Sequence, residues 1–198
     1  MSRIGVLTIL LLGLALSARG QTEQGSWELS LSSNFGLVSR STEYSGPLGS
    51  SQSEGESEGF LTLALRPGYY LADGLAIEPE FLWTAIEGIP PSFSLSGNLA
   101  YNFRIEGSRA TPFILLGYGL GNAIPVFQRV AVRTSDEWDI PVVNAGAGVK
   151  FFATDEVALR LEYRFQRYSQ EESSGSASWN SSTQFHNVFV GIALFFPS

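Results

Sequence analysis

The sequence predicts an all-β protein: an eight-stranded antiparallel up-and-down transmembrane β-barrel, preceded by a cleaved export signal. Three observations carry this expectation. Segments of about ten residues alternate apolar and polar side chains through most of the chain, the period-2 signature of strands with two unlike faces. Aromatic residues make up 13% of the 198 residues and glycine supplies 21, whereas Lys150 is the single lysine; abundant aromatics and glycines with few helical patterns suit sheet. Beyond the N-terminus, no apolar run reaches the roughly 18 residues that a membrane helix needs.

The N-terminal stretch has a basic residue, Arg3, then the apolar run 4–18, then Ala18-Arg19-Gly20. This is the secretory pattern. It divides the chain into a signal peptide at 1–20, cleaved ahead of Gln21, and a barrel domain at 21–198. The apolar run is short for a membrane anchor.

Eight strands follow in order. Segment 27–38 sets Trp27, Leu29 and Leu31 against Glu28, Ser30, Ser32 and Asn34. Segment 60–71 sets Leu61, Leu63, Leu65 and Tyr69 against Thr62, Ala64 and Arg66, and Ala72-Asp73-Gly74 forms a tight turn, Asp-Gly being a strong hairpin signal. Segment 75–85 opposes Leu75, Ile77, Pro79, Phe81 and Trp83 to Ala76, Glu78, Glu80 and Thr84. Segment 92–103 opposes Phe93, Leu95, Leu99 and Tyr101 to Ser94, Ser96, Asn98 and Asn102. In 111–123, Ile114, Leu116, Tyr118 and Leu120 face away from Gly117, Gly119 and Gly121. Segment 142–153 sets Val143, Ala145, Ala147, Val149 and Phe151 against Asn144, Gly146, Gly148 and Lys150. Segment 157–168 is the clearest, with Val157, Leu159, Leu161, Tyr163 and Phe165 opposite Arg160, Glu162, Arg164 and Gln166. The last strand is 185–196.

The connections near 72–74, 104–110 and 153–156 are short. Those at 39–59, 124–141 and 168–183 are long, polar and acidic, and are expected to be mobile loops; 87–91 is a short exception. Aromatic residues gather at strand ends: Trp27, Tyr69, Tyr70, Tyr101, Phe103, Phe151, Phe152, Phe195 and Phe196 by the short turns, Phe35, Phe60, Trp83, Phe93, Phe165, Tyr168 and Phe185 by the long loops. Two aromatic girdles and alternating turn lengths are the layout of a membrane barrel, with short turns in the periplasm and long loops outside. The competing architecture is a soluble ligand-carrying barrel with its apolar faces turned inward. Seven charges on the minority faces favour a polar lumen instead.

Two stretches carry a family resemblance. The run V-N-A-G-A-G-V-K-F-F-A-T-D-E-V-A-L-R-L-E-Y-R-F (143–165) and the terminal strand F-H-N-V-F-V-G-I-A-L-F-F resemble the eight-stranded outer-membrane protein β-barrel family, akin to the transmembrane domain of outer-membrane protein A. The resemblance implies bacterial outer-membrane localisation, contact with outer-membrane lipid and lipopolysaccharide, and insertion by the barrel-assembly machinery, for which Gly191, Leu194 and Phe196 form the assembly signal. Pro197-Ser198 after Phe196, and apolar Phe189 two before Gly191, depart from the family pattern. No further domain is expected after the terminal strand, and the barrel is expected to be monomeric.

The candidate site is the lumen set Arg66, Glu78, Glu80, Lys150, Arg160, Glu162 and Arg164. An eight-stranded barrel is just wide enough for side chains to fill it, so these charges are expected to pair as a structural ion-pair network. His186, the single histidine, is expected to point outward near the outer rim. The resemblance to lipid A deacylases would require a Ser two residues after it, where Val188 stands. The acidic loop residues match no calcium-loop spacing. With no cysteine, thiol catalysis, disulfides and Cys-ligated metal are excluded. A net charge of −7 without a basic cluster argues against nucleic-acid binding. No catalytic, metal or cofactor site is expected. The function read from this is a structural or surface-interacting barrel with a filled polar lumen. A small pore is the alternative, and a lipid-modifying enzyme is disfavoured.

Overall fold

In a computed structural model, the structure describes residues 22–46, 49–54, 58–86, 89–122, 140–174 and 177–196. Nine strands follow one another: β1 (Trp27–Gly46), β2 (Gly49–Glu54), β3 (Glu58–Ala72), β4 (Leu75–Ile86), β5 (Ile89–Asn102), β6 (Ala110–Gly121), β7 (Ile140–Phe152), β8 (Val157–Ser174) and β9 (Ala177–Phe196). β1 pairs antiparallel with both β3 and β9, from Trp27↔Tyr69 and Trp27↔Phe196 upward, so the sheet closes on itself. β1 and β3 to β9 are the eight staves of the expected barrel. β2 is an additional short strand that folds back on the far end of β1, from Ser41↔Glu54 to Gly46↔Gly49. Closure leaves the staves without a free edge to pair with another chain.

Burial follows the predicted alternation, with the polar face inside. Glu28, Ser30, Ser32 and Asn34 of β1 are buried while Trp27, Leu29 and Leu31 are exposed. β6 alternates in the same way, with Leu116 67% exposed and its neighbour Leu115 2% exposed, although its inner face also carries the apolar Phe113 and Leu115. The apolar positions form a continuous outer belt far larger than the patches that water-soluble monomers expose. A soluble barrel with inward apolar faces is therefore contradicted.

The belt has a defined height. Eight residues separate its lower and upper members on each of several staves: Leu75 to Trp83, Tyr101 to Phe93, Phe151 to Val143, Val157 to Phe165, Phe196 to Val188. Eight residues at about 3.3 Å each, tilted by roughly 40°, span about 20 Å. That is close to the apolar band of a membrane barrel. Trp27 and Tyr69 (ring centroids 4.9 Å apart) and Tyr101 and Phe103 (4.9 Å) mark the lower girdle, Phe81 and Phe93 (5.9 Å) the upper part.

Three expectations are corrected. The described parts of segments 39–59 and 168–183, read as loops, continue the ladder. β1 stays paired with β9 up to Ser45↔Ser178, and β8 with β9 up to Ser174↔Ala177. Their Ser- and Glu-rich composition has no apolar face, so alternation gives no sign of a strand; register propagated from the barrel below supplies the pairing. Next, not all strand-end aromatics belong to the girdles. Tyr70, Phe152, Phe195, Tyr168 and Phe185 share the phase of the polar face and are buried inside. Finally, the 87–91 connection is tighter than expected, with Ile86 directly opposite Ile89. The signal peptide and nearly all of the 124–141 loop lie outside the described residues, as do the side chains of Phe35 and Phe60.

The lower turns are built as the sequence requires. Gly74 has φ +77°, and a Cβ there would sit 2.5 Å from the Asn102 carbonyl oxygen, so the Asp73-Gly74 turn admits only glycine comfortably. The Gly74 amide donates to the Thr22 carbonyl at 2.8 Å and the Gln24 amide to Asp73 Oδ1 at 3.1 Å, which ties the segment before β1 across the lower end.

Candidate functional site

The structure brings all seven predicted lumen residues into one cluster, none more than 1% exposed. They come from β3 (Arg66), β4 (Glu78, Glu80), β7 (Lys150) and β8 (Arg160, Glu162, Arg164), strands whose period-2 phase turns every second side chain inward. An eighth charge completes the set. Glu28 of β1 is 2% exposed and lies on the polar face read from the sequence, yet was absent from the predicted site. Four cations therefore face four carboxylates among the described lumen residues.

The pairs interlock. Arg160 makes a two-pronged contact with Glu78, at 2.8 and 3.2 Å, and donates to Glu28 Oε1 at 3.2 Å and Glu162 Oε2 at 3.0 Å. Lys150 Nζ donates to Glu28 Oε2 at 2.5 Å, and the Tyr70 hydroxyl donates to the same oxygen at 2.8 Å. Arg66 pairs with Glu80 through Nε and with Glu162 Oε2 through Nη1 at 3.0 Å. Arg164 binds Glu80 through Nη1 and Glu162 Oε1 through Nη2 at 2.5 Å. Each carboxylate touches at least two cations. This is the arrangement that offsets the desolvation cost of buried charge. Phe113 and Phe189 wall the cluster. The guanidinium of Arg160 lies 4.5 Å from the Phe113 ring, and those of Arg66 and Arg164 lie 4.9 and 5.3 Å from the Phe189 ring. The inward Phe189 thus packs beneath two guanidinium planes.

On the long-hairpin side of the charges runs a belt of amides that the sequence analysis did not assemble. Asn34 Oδ1 accepts from the Thr62 backbone amide at 2.7 Å, and Asn34 Nδ2 donates to Asn187 at 2.5 Å. Asn187 donates to Gln166 at 2.7 Å, Gln166 to Asn144 at 3.0 Å, and Asn144 to Asn98 at 3.2 Å; Asn98 donates to the Glu78 carbonyl at 3.1 Å. The bonds run head to tail from β3 through β1, β9, β8 and β7 to β5 and β4. Between β7 and β5 the belt crosses over β6 at Gly117. A Cβ on Gly117 would lie 1.9 Å from Asn98 Oδ1, so the glycine leaves the passage that this amide occupies. The inward phase of Asn34, Asn98, Asn144 and Gln166 was legible from alternation; their joining around the lumen depends on closure.

On the short-turn side, Tyr70, Ala76, Phe152, Ala158, Ala193 and Phe195 form an apolar cluster. Amides, charges and this cluster make three successive layers across the lumen.

The remaining sequence candidates lie apart. Leu194 and Phe196 are exposed on the outer face at the lower end. Gly191 is opposite Ser32 and Arg160, where a Cβ would meet the Leu31 carbonyl oxygen at 2.3 Å. His186 is exposed, outward as expected, with Nδ1 2.8 Å from the Tyr163 hydroxyl. Among the described residues no cluster of three or more His, Cys, Asp or Glu side chains could hold a metal ion.

Three solved structures are similar to this chain. The crystal structure of Neisserial surface protein A is 15% identical and aligns with 86% of this chain and 99% of its own, at a TM-score of 0.53. The N-terminal β-barrel domain of Pseudomonas aeruginosa OprF is 18% identical, covering 87% and 98%, at 0.47. The outer membrane protein OprG of the same organism is 12% identical, covering 89% and 99%, at 0.48. A search of curated protein sequences found no match. The model of the outer membrane protein beta-barrel domain matches residues 6–196. With its polar interior, apolar belt and closed set of eight staves, the chain belongs to the outer membrane protein beta-barrel domain family and is a bacterial outer-membrane protein.

Proposed function

We propose that this barrel is a sealed scaffold that holds extracellular hairpins at the cell surface, and neither a pore nor an enzyme. The observation that carries the reading is the layered lumen: an amide belt, eight interlocked charges and an apolar cluster, all buried. No layer holds a lone charge ring of the kind that selects ions in a channel. Among the described residues, the part left free to act is the wall of β8, β9, β1 and β2. β8, β9 and β1 are 18, 20 and 20 residues long, whereas β4 and β6 have 12 each. The excess of about seven residues lifts the hairpins ~20 Å along the strand direction beyond the opposite rim. Short turns lie in the periplasm and long hairpins outside. We take Leu194 and Phe196, outward at the short-turn rim, as the contacts for barrel-assembly machinery before β9 closes on β1.

Because the chain has no cysteine, Leu48→Cys creates a unique label site between Gly46 and Gly49. The reading expects a membrane-impermeant maleimide to label this variant on intact cells, and proteoliposomes of the protein to stay impermeable to small sugars. Labelling only after lysis, or liposome swelling, would contradict it.

A further inference from the structure

We propose that the outer rim of β8 and β9 carries a recognition site for the phosphate of an outer-leaflet amphiphile, formed by Arg167 and His186 with Tyr163 as positioning residue. The proposal rests on the membrane-spanning reading above and names the headgroup chemistry at one place on the wall.

The first observation is one of height. The apolar outer face ends at Phe165 on β8 and Val188 on β9. One outward step further stand Arg167 and His186, both exposed. Phe165 is directly opposite His186 and Arg167 directly opposite Gln184, so Arg167 and His186 are diagonal neighbours on the same face. Such diagonal pairs lie roughly 7–8 Å apart, within joint reach of one ligand.

The second observation is that Arg167 has no protein partner among the residues whose side chains the structure describes. The other arginines whose side chains are described are engaged. Arg66, Arg160 and Arg164 pair with lumen carboxylates. Arg104 lies 3.5 Å from Asp73, and Arg109 donates to the Ala153 carbonyl at 3.0 Å. Along its register row Arg167 is flanked by Val143 and Gln184, neither of which is a carboxylate. A net charge of −7 makes this outward cation an exception to the trend of the chain.

The third observation is that His186 is held in one orientation. Its Nδ1 lies 2.8 Å from the Tyr163 hydroxyl, and its ring packs 5.5 Å from that of Phe165. In the tautomer in which the phenol donates to Nδ1, the ring proton sits on Nε2, since one nitrogen's hydrogen bond fixes the role of the other. Nε2–H and the Arg167 guanidinium then both present donors just above the apolar belt. A guanidinium fork matches a phosphate better than any neutral headgroup group. Basic side chains at a membrane surface bind anionic headgroups by this chemistry. Below the pair, Tyr163, Leu161, Val188 and Val190 offer an exposed apolar wall to the acyl chains of the same molecule.

The test uses the full chain folded in detergent, with Arg167→Gln and His186→Phe. Native mass spectrometry counts retained lipid after addition of bisphosphorylated lipid A, dephosphorylated lipid A, or phosphatidylglycerol. Wild type is expected to retain bisphosphorylated lipid A, Arg167→Gln to retain it roughly tenfold less, the scale of one lost charge-assisted contact, and His186→Phe to be weakened to a smaller degree. All three proteins should hold dephosphorylated lipid A equally. If phosphatidylglycerol equals lipid A and both require Arg167, the phosphate site stands and the source is a phospholipid. Undiminished lipid A retention by Arg167→Gln, or no preference of wild type for phosphorylated over dephosphorylated lipid A, would overturn the proposal. A wild-type chain that shows no heat-dependent gel shift would fail the membrane-barrel reading itself, a separate result.

Discussion

At the scale of residues, the lumen depends on reciprocity. Glu80 accepts from both Arg66 and Arg164. Truncating it leaves Arg66 and Arg164 to share Glu162 as their one remaining carboxylate, an uncompensated buried positive charge of the kind that costs about 3–5 kcal/mol. Glu80→Ala should therefore lower the urea midpoint of unfolding in micelles by that equivalent. Glu28→Ala should be comparably damaging, because Lys150 and Arg160 both converge on it. The inward phase of Glu28 was legible, but its membership of the site was not. β1 and β7 are not neighbours in the sheet, and only the closed barrel brings Lys150 across to it. Gly117 is a second such case. Its alternation with Gly119 and Gly121 pointed to space for facing side chains, without saying that Asn98 takes that space. Gly117→Ala should cost about 1–3 kcal/mol by displacing that amide. Adding Asn98→Ala should cost less than the sum of the single changes, since both act on one bond chain; a double-mutant cycle measures the difference.

At the scale of elements, the alternation that identified the staves also fixed which faces meet lipid. Leu161 sits midway up the outer face of β8, four residues above Val157 and four below Phe165. Leu161→Arg should destabilise the barrel by about 2–4 kcal/mol in lipid vesicles, the cost of a cation at the bilayer midplane. An unchanged unfolding free energy would place β8 outside the membrane. What alternation could not reveal is the length of β1, β8 and β9. Segments 39–59 and 168–183 have polar residues at both phases, so period-2 patterning vanishes although the backbone ladder persists. The interior aromatics were hidden for the opposite reason. Phe195 and Phe196 are both aromatic and adjacent, and only phase separates the ring that fills the lumen from the ring that joins the girdle.

At the scale of the whole molecule, the barrel turns a soluble protein inside out: its charges form the core and its leucines the surface. Four cations and four carboxylates make that core formally neutral, so ordinary ionic strength has little net charge to screen there. The central claim is that this interior closes the barrel to ions. Planar-bilayer conductance of the folded chain tests it most directly, with the variant Glu80→Ala recorded alongside. A silent wild type, with ion leak appearing only when the Glu80 pairs are removed, is the predicted result. Stable single-channel steps from wild-type protein would contradict the sealed lumen and make the molecule a pore.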